Sequence, residues 1–374
     1  MPKTLVKLAA LAAAFMLAAP ALSDAQTRIR VQSVIPIKAD EVVMLQDFAE
    51  DVKALTNGEV LIEVLPAGAV VGVAETLDAV DKGLIEGGFA WTHYWSGKHP
   101  AAMLFGSPPA GSGLGMDNTA WVSWYLYGGG QALYDRLWDE MGVNIKGFIL
   151  QPVGPEALGW FKEPITSMDD FRERRFRAPP GMTGQVYNEM GVPAVSMGGG
   201  DIVPALDRGV LDGAEWCCPK PDLIYGFQRH MKHYYLQGLH QIVVNADIYF
   251  NGDIWDGLTE HQQKSIEVAA NASLTKTVAY RILENGKALK ELLEEHGVQL
   301  EDTPDEYFTE FMDATQKILE QNAAENDFFR EVLESQRAFA EVAIPYWSQN
   351  QRTNTTLAEE YAKQVDWWTK ARGE

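Results

Sequence analysis

The chain has 374 residues, 46% of them hydrophobic and 22% charged, with a formal net charge of −21. That length supports a large core and suggests two domains, and the acidic balance excludes a nucleic-acid-binding surface. It leaves room for an anionic ligand, because a buried Arg acts over a few ångströms whereas surface charge is screened beyond roughly 10 Å.

Residues 1–25 read as an export leader. Lys3 and Lys7 form its basic start, residues 8–22 are an apolar run rich in Ala and Leu, and Ser23 and Ala25 are the small residues of a cleavage site. Cleavage fits after Ala25, with Ser23 as the alternative. No later segment approaches about 20 consecutive apolar residues, and no Cys stands at the junction to carry a lipid. The mature protein is therefore expected to be exported, soluble and periplasmic.

Ile29, Val31 and Val34 lie in a strand-like run over 28–35. A helix is predicted over 39–56, with Leu45, Phe48, Ala49, Val52 and Leu55 on one face and Asn57-Gly58 as its stop. Val60, Ile62 and Val64 then alternate as a strand. This β-α-β order implies a right-handed crossover between parallel strands. A helix over 77–82 and a strand over 89–94 follow. The glycines of 106–118 form a loop without dinucleotide-site spacing. Helices over 121–127 and 132–141 flank Gly128-Gly129-Gly130, and a strand spans 144–150. A second lobe begins near Gln151, with strands at 176–178 and 194–197 and helices at 183–190 and 201–208. A strand over 242–250 returns to the first lobe, and long helical stretches cover 259–295 and 306–364. The expected fold is α/β with two lobes: lobe I over 26–150, with about 241–300 returning to it, lobe II over 151–240, and C-terminal helices over 301–374. No low-complexity linker separates the lobes, so crossing strands or helices must join them as a hinged clamp.

An internal repeat supports this division. Residues 79–90 (Ala-Val-Asp-Lys-Gly-Leu-Ile-Glu-Gly-Gly-Phe-Ala) match residues 205–216 (Ala-Leu-Asp-Arg-Gly-Val-Leu-Asp-Gly-Ala-Glu-Trp) in kind. Each reads as a last helical turn, a Gly stop and a short apolar strand. Ligands of open α/β sheets sit beyond the carboxyl ends of strands, so the second copy delivers Glu215 and Trp216 to the space between lobes.

Arg174-Arg175-Phe176-Arg177-Ala178-Pro179-Pro180 is the most informative local stretch. Alternation on an extended segment puts Arg175 and Arg177 on one face and Phe176 on the other. The prolines hold Arg177 at a strand end, where a guanidinium can take a carboxylate through two parallel hydrogen bonds. Arg174 and Arg175 read as a solvated patch. Glu156 and Glu215 are candidates to converge on Na⁺ or Ca²⁺, both of which suit oxygen ligands. Trp91, His93, Tyr94 and Trp95 cluster after a strand, as core or as a ligand wall. His240 precedes a strand and is a candidate to face the cleft. The seven histidines give no metal pattern, and no nucleophile–base pair is evident. Cys217 and Cys218 are adjacent and cannot close a long loop. They read as two buried free thiols, with a strained vicinal disulfide as the alternative.

Together these residues resemble a known family. Arg175-Phe176-Arg177, Gly191-Val192-Pro193, Asp201-Ile202-Val203-Pro204-Ala205-Leu206-Asp207-Arg208-Gly209 and Asp212-Gly213-Ala214-Glu215-Trp216 are similar to the periplasmic solute-binding subunits of TRAP transporters. Trp95-x-Gly97-Lys98-x-Pro100 and Gly128-Gly129-Gly130 resemble the branch that binds 2-oxo acids. The resemblance spans roughly residues 28–260. It implies two lobes closing on one organic acid, a carboxylate held by Arg177, and a cation bridging protein and ligand through Glu215, the Trp216 carbonyl and Glu156. Gln is expected at 156. The extra charge favours Ca²⁺ over Na⁺ or marks an altered site. Cys217-Cys218-Pro219-Lys220 also departs from the branch. The substrate-binding set expected on these grounds is Arg177, Glu156, Trp216, Tyr94, Trp95 and His240. The resemblance further implies a membrane permease as partner, no organic cofactor, and a homodimer through the C-terminal helices. An aromatic carboxylate is the alternative ligand, given eleven Trp. A secreted acid–base enzyme using Glu156 and Glu215, and a binding protein that signals to a receptor, are the remaining readings.

Overall fold

The computed structural model describes residues 26–179 and 181–373, so the leader over 1–25 and Pro180 lie outside the described residues. Eleven strands assemble into two sheets. Five of them, β1 (Thr27–Ser33), β2 (Val60–Leu65), β3 (Gly87–Trp91), β4 (Ile145–Pro152) and β10 (Asn245–Asn251), lie in the order β2-β1-β3-β10-β4. The second sheet contains β5 (Gly159–Phe161), β6 (Phe176–Ala178), β7 (Ala194–Ser196), β8 (Gly213–Ala214), β9 (His233–Tyr235) and β11 (Gln299–Glu301), in the order β11-β9-β5-β8-β6-β7.

The predicted first crossover is present. The helix Asp40–Leu55 buries Val42, Leu45, Phe48, Ala49 and Val52 and carries Asp40 and Glu41 in its first turn, where carboxylates suit the helix dipole. Leu55, expected on that apolar face, is exposed. β1 pairs in parallel with β2 on one side and β3 on the other. The second sheet repeats this plan: β6 pairs in parallel with both β7 and β8. The repeat is equally visible at its turns, where Gly83 and Gly209 adopt φ of 68° and 69° after helices Thr76–Asp81 and Gly199–Asp207. A side chain would be strained in that left-handed region.

Two chain segments cross between the sheets side by side. Residues 153–158 carry β4 into β5, and 236–244 carry β9 into β10. The pairs β4–β10 and β5–β9 are antiparallel. The ladder continues through the crossing, with Val153 N donating to Val244 O (2.9 Å) and Glu156 N to Gln241 O (3.1 Å). A third tie is the 36-residue helix Glu260–Glu295, which starts in a Thr259–Gln262 capping box and leads to β11.

Several expectations are corrected. The strand placed over 89–94 ends at Trp91, and Thr92–Trp95 is a 3₁₀ turn. The helical stretch over 306–364 is two helices, Asp305–Glu325 and Asp327–Ala362. Asn326 separates them: its side chain accepts from Phe329 N at 2.8 Å, capping the second helix. The segment 299–301, outside the stretch assigned to lobe II, is a strand of the second sheet through β9. No helix among the described residues is long and apolar enough to cross a membrane.

Candidate functional site between the sheets

Arg177 is the middle residue of β6, and the preceding Phe176 side chain anchors the strand in the second lobe, stacked on Phe161 with centroids 5.4 Å apart. Alternation then turns Arg177 to the opposite face, where it is 1% exposed. Its Nε and Nη2 donate to Met197 O at 3.0 and 2.7 Å, and Nη1 donates to Glu215 O at 3.0 Å and to Glu215 Oε1. Four of the five guanidinium N–H groups are thus accounted for among the described residues. The guanidinium also lies over the Trp216 ring at 5.6 Å. Arg175, on the same face, is drawn instead into an exposed pair with Asp212.

Glu215 follows β8 and is fully buried. Its Oε2 has no hydrogen-bond partner and lies 3.6 Å from His240 Nε2. Glu156 comes from one crossing segment and His240 from the other. Ligand atoms of Glu156, Glu215 and His240 all lie within 4.8 Å of one another. Glu156 Oε2 and both His240 ring nitrogens are also without partners. Burial, reinforced by Cys217 and Glu215, pushes the Glu156 carboxyl well above the usual carboxylate range. Buried polar atoms normally find partners, so this cluster of orphaned oxygens and nitrogens is complementary to a bound cation.

Beside it lies a small cavity, with a volume of only about 20 Å³ for the centres of water-sized probes. Trp91, His93 and Tyr94 line it from the first sheet, Arg177, Pro179, Trp216 and Cys217 from the second, and Glu156 and Gln241 from the crossing. Trp91 and Trp216 meet edge to face across the lobes at 6.3 Å. Burial, helped by the Arg177 charge, lowers His93 to about 3, so its imidazole is neutral. Burial raises Tyr94 to about 12, so its hydroxyl keeps its proton. The cavity therefore offers neutral donors beside one cation.

Two expected wall residues sit elsewhere. The 3₁₀ turn rotates Trp95 into the first lobe, where its ring meets Tyr249 edge-on at 6.2 Å. His240 is completely buried behind Glu215, beside Tyr187 at 6.1 Å, rather than in the wall. Other residues at the site were not singled out in the sequence. Glu41, 1% exposed, lines the cavity, and its acidic first-turn position reads as ordinary dipole matching. Arg281, midway along the helix Glu260–Glu295, is 5% exposed and lies 3.8 Å from Glu41 Oε1. Its signal was a lone Arg in register with Thr277 and Ala288 on a buried face. Asp222 accepts from Cys217 N (3.1 Å), Trp160 Nε1 (2.8 Å) and Tyr234 OH (3.0 Å), fixing the chain just after Trp216.

Residues 38–326 match DctP, the bacterial extracellular solute-binding protein family 7. A monocarboxylate 2-oxoacid-binding periplasmic protein of Nostoc sp. is 32% identical over 83% of this chain and 84% of its own length. A TRAP solute-binding protein of Bordetella bronchiseptica, a mixed-occupancy dimer with co-purified calcium and picolinate, superposes with a TM-score of 0.82 at 25% identity, covering 90% of this chain and 98% of that one. One from Colwellia psychrerythraea, with bound calcium and pyruvate, gives 0.81 at 24% identity over 88% of this chain and 99% of its own. Because the family match spans most of the chain and the Nostoc relative shares 32% identity over 83% of it, the chain belongs to the DctP family of bacterial extracellular solute-binding proteins.

Proposed function

We propose that this protein captures a small 2-oxo or 2-hydroxy monocarboxylate together with Na⁺ or Ca²⁺ in the periplasm and delivers it to a TRAP membrane permease. The observation that carries this reading is the convergence of Glu156 and Glu215, each with an orphaned oxygen, beside Arg177 and a cavity lined from both sheets. Arg177 grips the acid's carboxylate with its remaining N–H and by exchanging part of its contact with Glu215. Glu156, Glu215 and the Trp216 carbonyl hold the cation, whose charge offsets the two buried carboxylates and favours a ligand oxygen. A cation that displaces the Glu156 proton would meet two carboxylates, which suits Ca²⁺, a hard cation taking 6–8 oxygens. Tyr94 donates to the ligand, His240 orients Glu215 from behind, and Trp95 supports the wall from within lobe I. Nothing in this arrangement requires bond-making; closure needs only better contacts in the closed state.

The Nostoc relative's 2-oxoacids and the neighbours' pyruvate and calcium support the choice of ligand. A second reading is favoured by the rings of Trp91, Tyr94 and Trp216 and by the picolinate of the Bordetella neighbour: a one-ring aromatic carboxylate. The homodimer belongs to the same reading. The helix Asp327–Ala362 leaves Val342, Tyr346, Leu357 and Tyr361 between 68% and 81% exposed, a surface suited to a second copy.

The test is mass spectrometry of acids released on denaturing the purified protein, followed by a thermal-shift panel with and without chelator. Stabilisation by pyruvate, lost with chelator, is the expected result. Stabilisation by benzoate-like acids alone would replace the 2-oxo acid with the aromatic reading. No response to any carboxylate would overturn both.

A further inference from the structure

Glu41 is a buried acceptor that the proposed site leaves unused. It stands in the first turn of the helix Asp40–Leu55 and lines the ligand cavity from lobe I. Its backbone is fixed: Gln151 Nε2 donates to Glu41 O at 2.9 Å, and the neighbouring Asp40 accepts from Tyr280 OH at 2.8 Å. Its carboxyl is less well served. Oε1 lies 3.8 Å from Arg281 Nη1, beyond hydrogen-bond reach, and the buried Oε2 has no hydrogen-bond partner among the described residues. The Glu156–Glu215–His240 cluster forms without it. Several other polar groups of the cavity wall are donors: the Arg177 guanidinium, the Tyr94 hydroxyl, which keeps its proton, and Trp216 Nε1, which has no partner. A simple oxo acid offers only acceptors, which suits those donors and leaves Glu41 Oε2 bare.

We propose that Glu41 is a specificity-determining residue: its free oxygen accepts a hydrogen bond from a hydroxyl on the carbon chain of the bound acid, so the protein prefers a short hydroxy acid to the oxo acid of the same size. This preference rests on the carboxylate binding proposed above. Buried acceptors normally find donors, and a site built to bond a ligand hydroxyl rejects the analogue without it, because the polar group is then left unpaired. Arg281 already supplies a countercharge, so the partner that Glu41 lacks is a neutral donor rather than an ammonium. The small cavity keeps the acid short. Glu41 is carried by lobe I and Arg177 by lobe II, so an acid bonded to both also ties the lobes together.

The expected preference is about ten- to hundredfold, the worth of one hydrogen bond to a charged group. Glu41→Gln keeps a carbonyl acceptor and should retain part of it. Glu41→Met removes the acceptor but leaves Arg281 without this partner. The double variant Glu41→Met/Arg281→Met removes both charges of the pair, so that neither is left buried alone.

The experiment is calorimetric titration of the full mature protein, with Ca²⁺ present, against lactate, 3-hydroxypropanoate, pyruvate and L-alanine. The readout is the ratio of dissociation constants between pyruvate and the tighter hydroxy acid, since damage to Arg177 or to the cation site weakens both acids alike. A ratio of about ten or more in the wild type, reduced in Glu41→Gln and near one in Glu41→Met and the double variant, is the expected result. Pyruvate binding at least as tightly as both hydroxy acids in the wild type overturns the preference. A ratio that persists in the double variant overturns the role of Glu41. L-alanine binding more tightly than both hydroxy acids puts an ammonium where the hydroxyl was proposed and overturns the neutral donor. A protein that binds none of the four loses the carboxylate reading as well, whereas one that binds acids without this preference loses only the role of Glu41.

Discussion

The two copies of the helix–Gly–strand repeat share a frame and differ in what they carry. In the first, Arg30 N and Nε bond Glu86 Oε2 at 3.0 and 2.7 Å, and Nη2 reaches Leu84 O at 3.3 Å. In the second, Arg175 N and Nε bond Asp212 Oδ2 at 3.0 and 2.7 Å, and Nη2 reaches Gly209 O at 3.1 Å. The same clamp thus ties each central strand to the turn before its neighbour. Two residues beyond each Arg and three beyond each acid, the copies diverge. The first has Gln32, which bonds Val70 N and Val71 O, and Phe89 in the core. The second has Arg177 and Glu215, the buried ion pair. The shared frame brings both strands to the cleft, and in the second copy a buried ion pair stands where the first has Gln32 and Phe89.

That comparison breaks most visibly at Arg177. Arg177→Gln gives the second copy the residue of the first and should lower carboxylate affinity by about 100-fold or more, the loss of two hydrogen bonds to a charge. It also strands Glu215, which should cost about 3–5 kcal/mol in urea unfolding. The double variant Arg177→Gln/Glu215→Gln should recover part of that stability but none of the binding. Glu156→Gln should weaken Ca²⁺ dependence by about tenfold while leaving Na⁺-supported binding in place. Calorimetric titrations that do not distinguish the two cations in that variant would remove Glu156 from the site.

A smaller effect concerns Asp247, behind the first lobe's cleft wall. Burial raises it to about 7 despite hydrogen bonds from Tyr134 and Thr92. The folded state holds its proton longer than the unfolded chain, whose Asp titrates near ~3.9. Its contribution is then fully present below about pH 4 and is lost as pH rises through about 7. Urea midpoints across that range should fall in the wild type and flatten in Asp247→Asn. The smallest effects test the shared clamp. Arg30→Ala and Arg175→Ala should each cost only about 0.2–1 kcal/mol, because solvent screens both pairs, and neither should change acid binding. The Arg175 hydrogen bond holds Asp212 at about 2. Its small contribution should be present above about pH 4 and disappear as pH falls through about 2.

The parallel crossover, the return of β10 and the placing of Arg177 and Glu215 on neighbouring strands were legible in the sequence because strong patterns mark them: alternating Val and Ile, the repeat, and an Arg just before two prolines; the Arg177–Glu215 ion pair was not. Strands β5, β9 and β11 were not, since three residues are too few to display a period and, unlike β6, β7 and β8, none lies in the repeat or beside a proline. Trp95 was misplaced because extended alternation was carried past Trp91, where the backbone tightens into a 3₁₀ turn. Glu41 and Arg281 were hidden by position, each on a helix whose charges have ordinary explanations. Their pairing depends on the long helix packing across the first lobe, which no local pattern records.

Trp91 and Trp216 meet edge to face across the lobes, and both sheets and the crossing segments line the cavity behind them. Parting of the lobes would separate these walls, so the residence time of a bound acid should follow the opening rate of the hinge more than the strength of any single contact. Substitutions in 153–158 or 236–244 that never reach the ligand should change the off-rate. Any that populate the open form should weaken apparent affinity in proportion to the fraction of closed molecules removed.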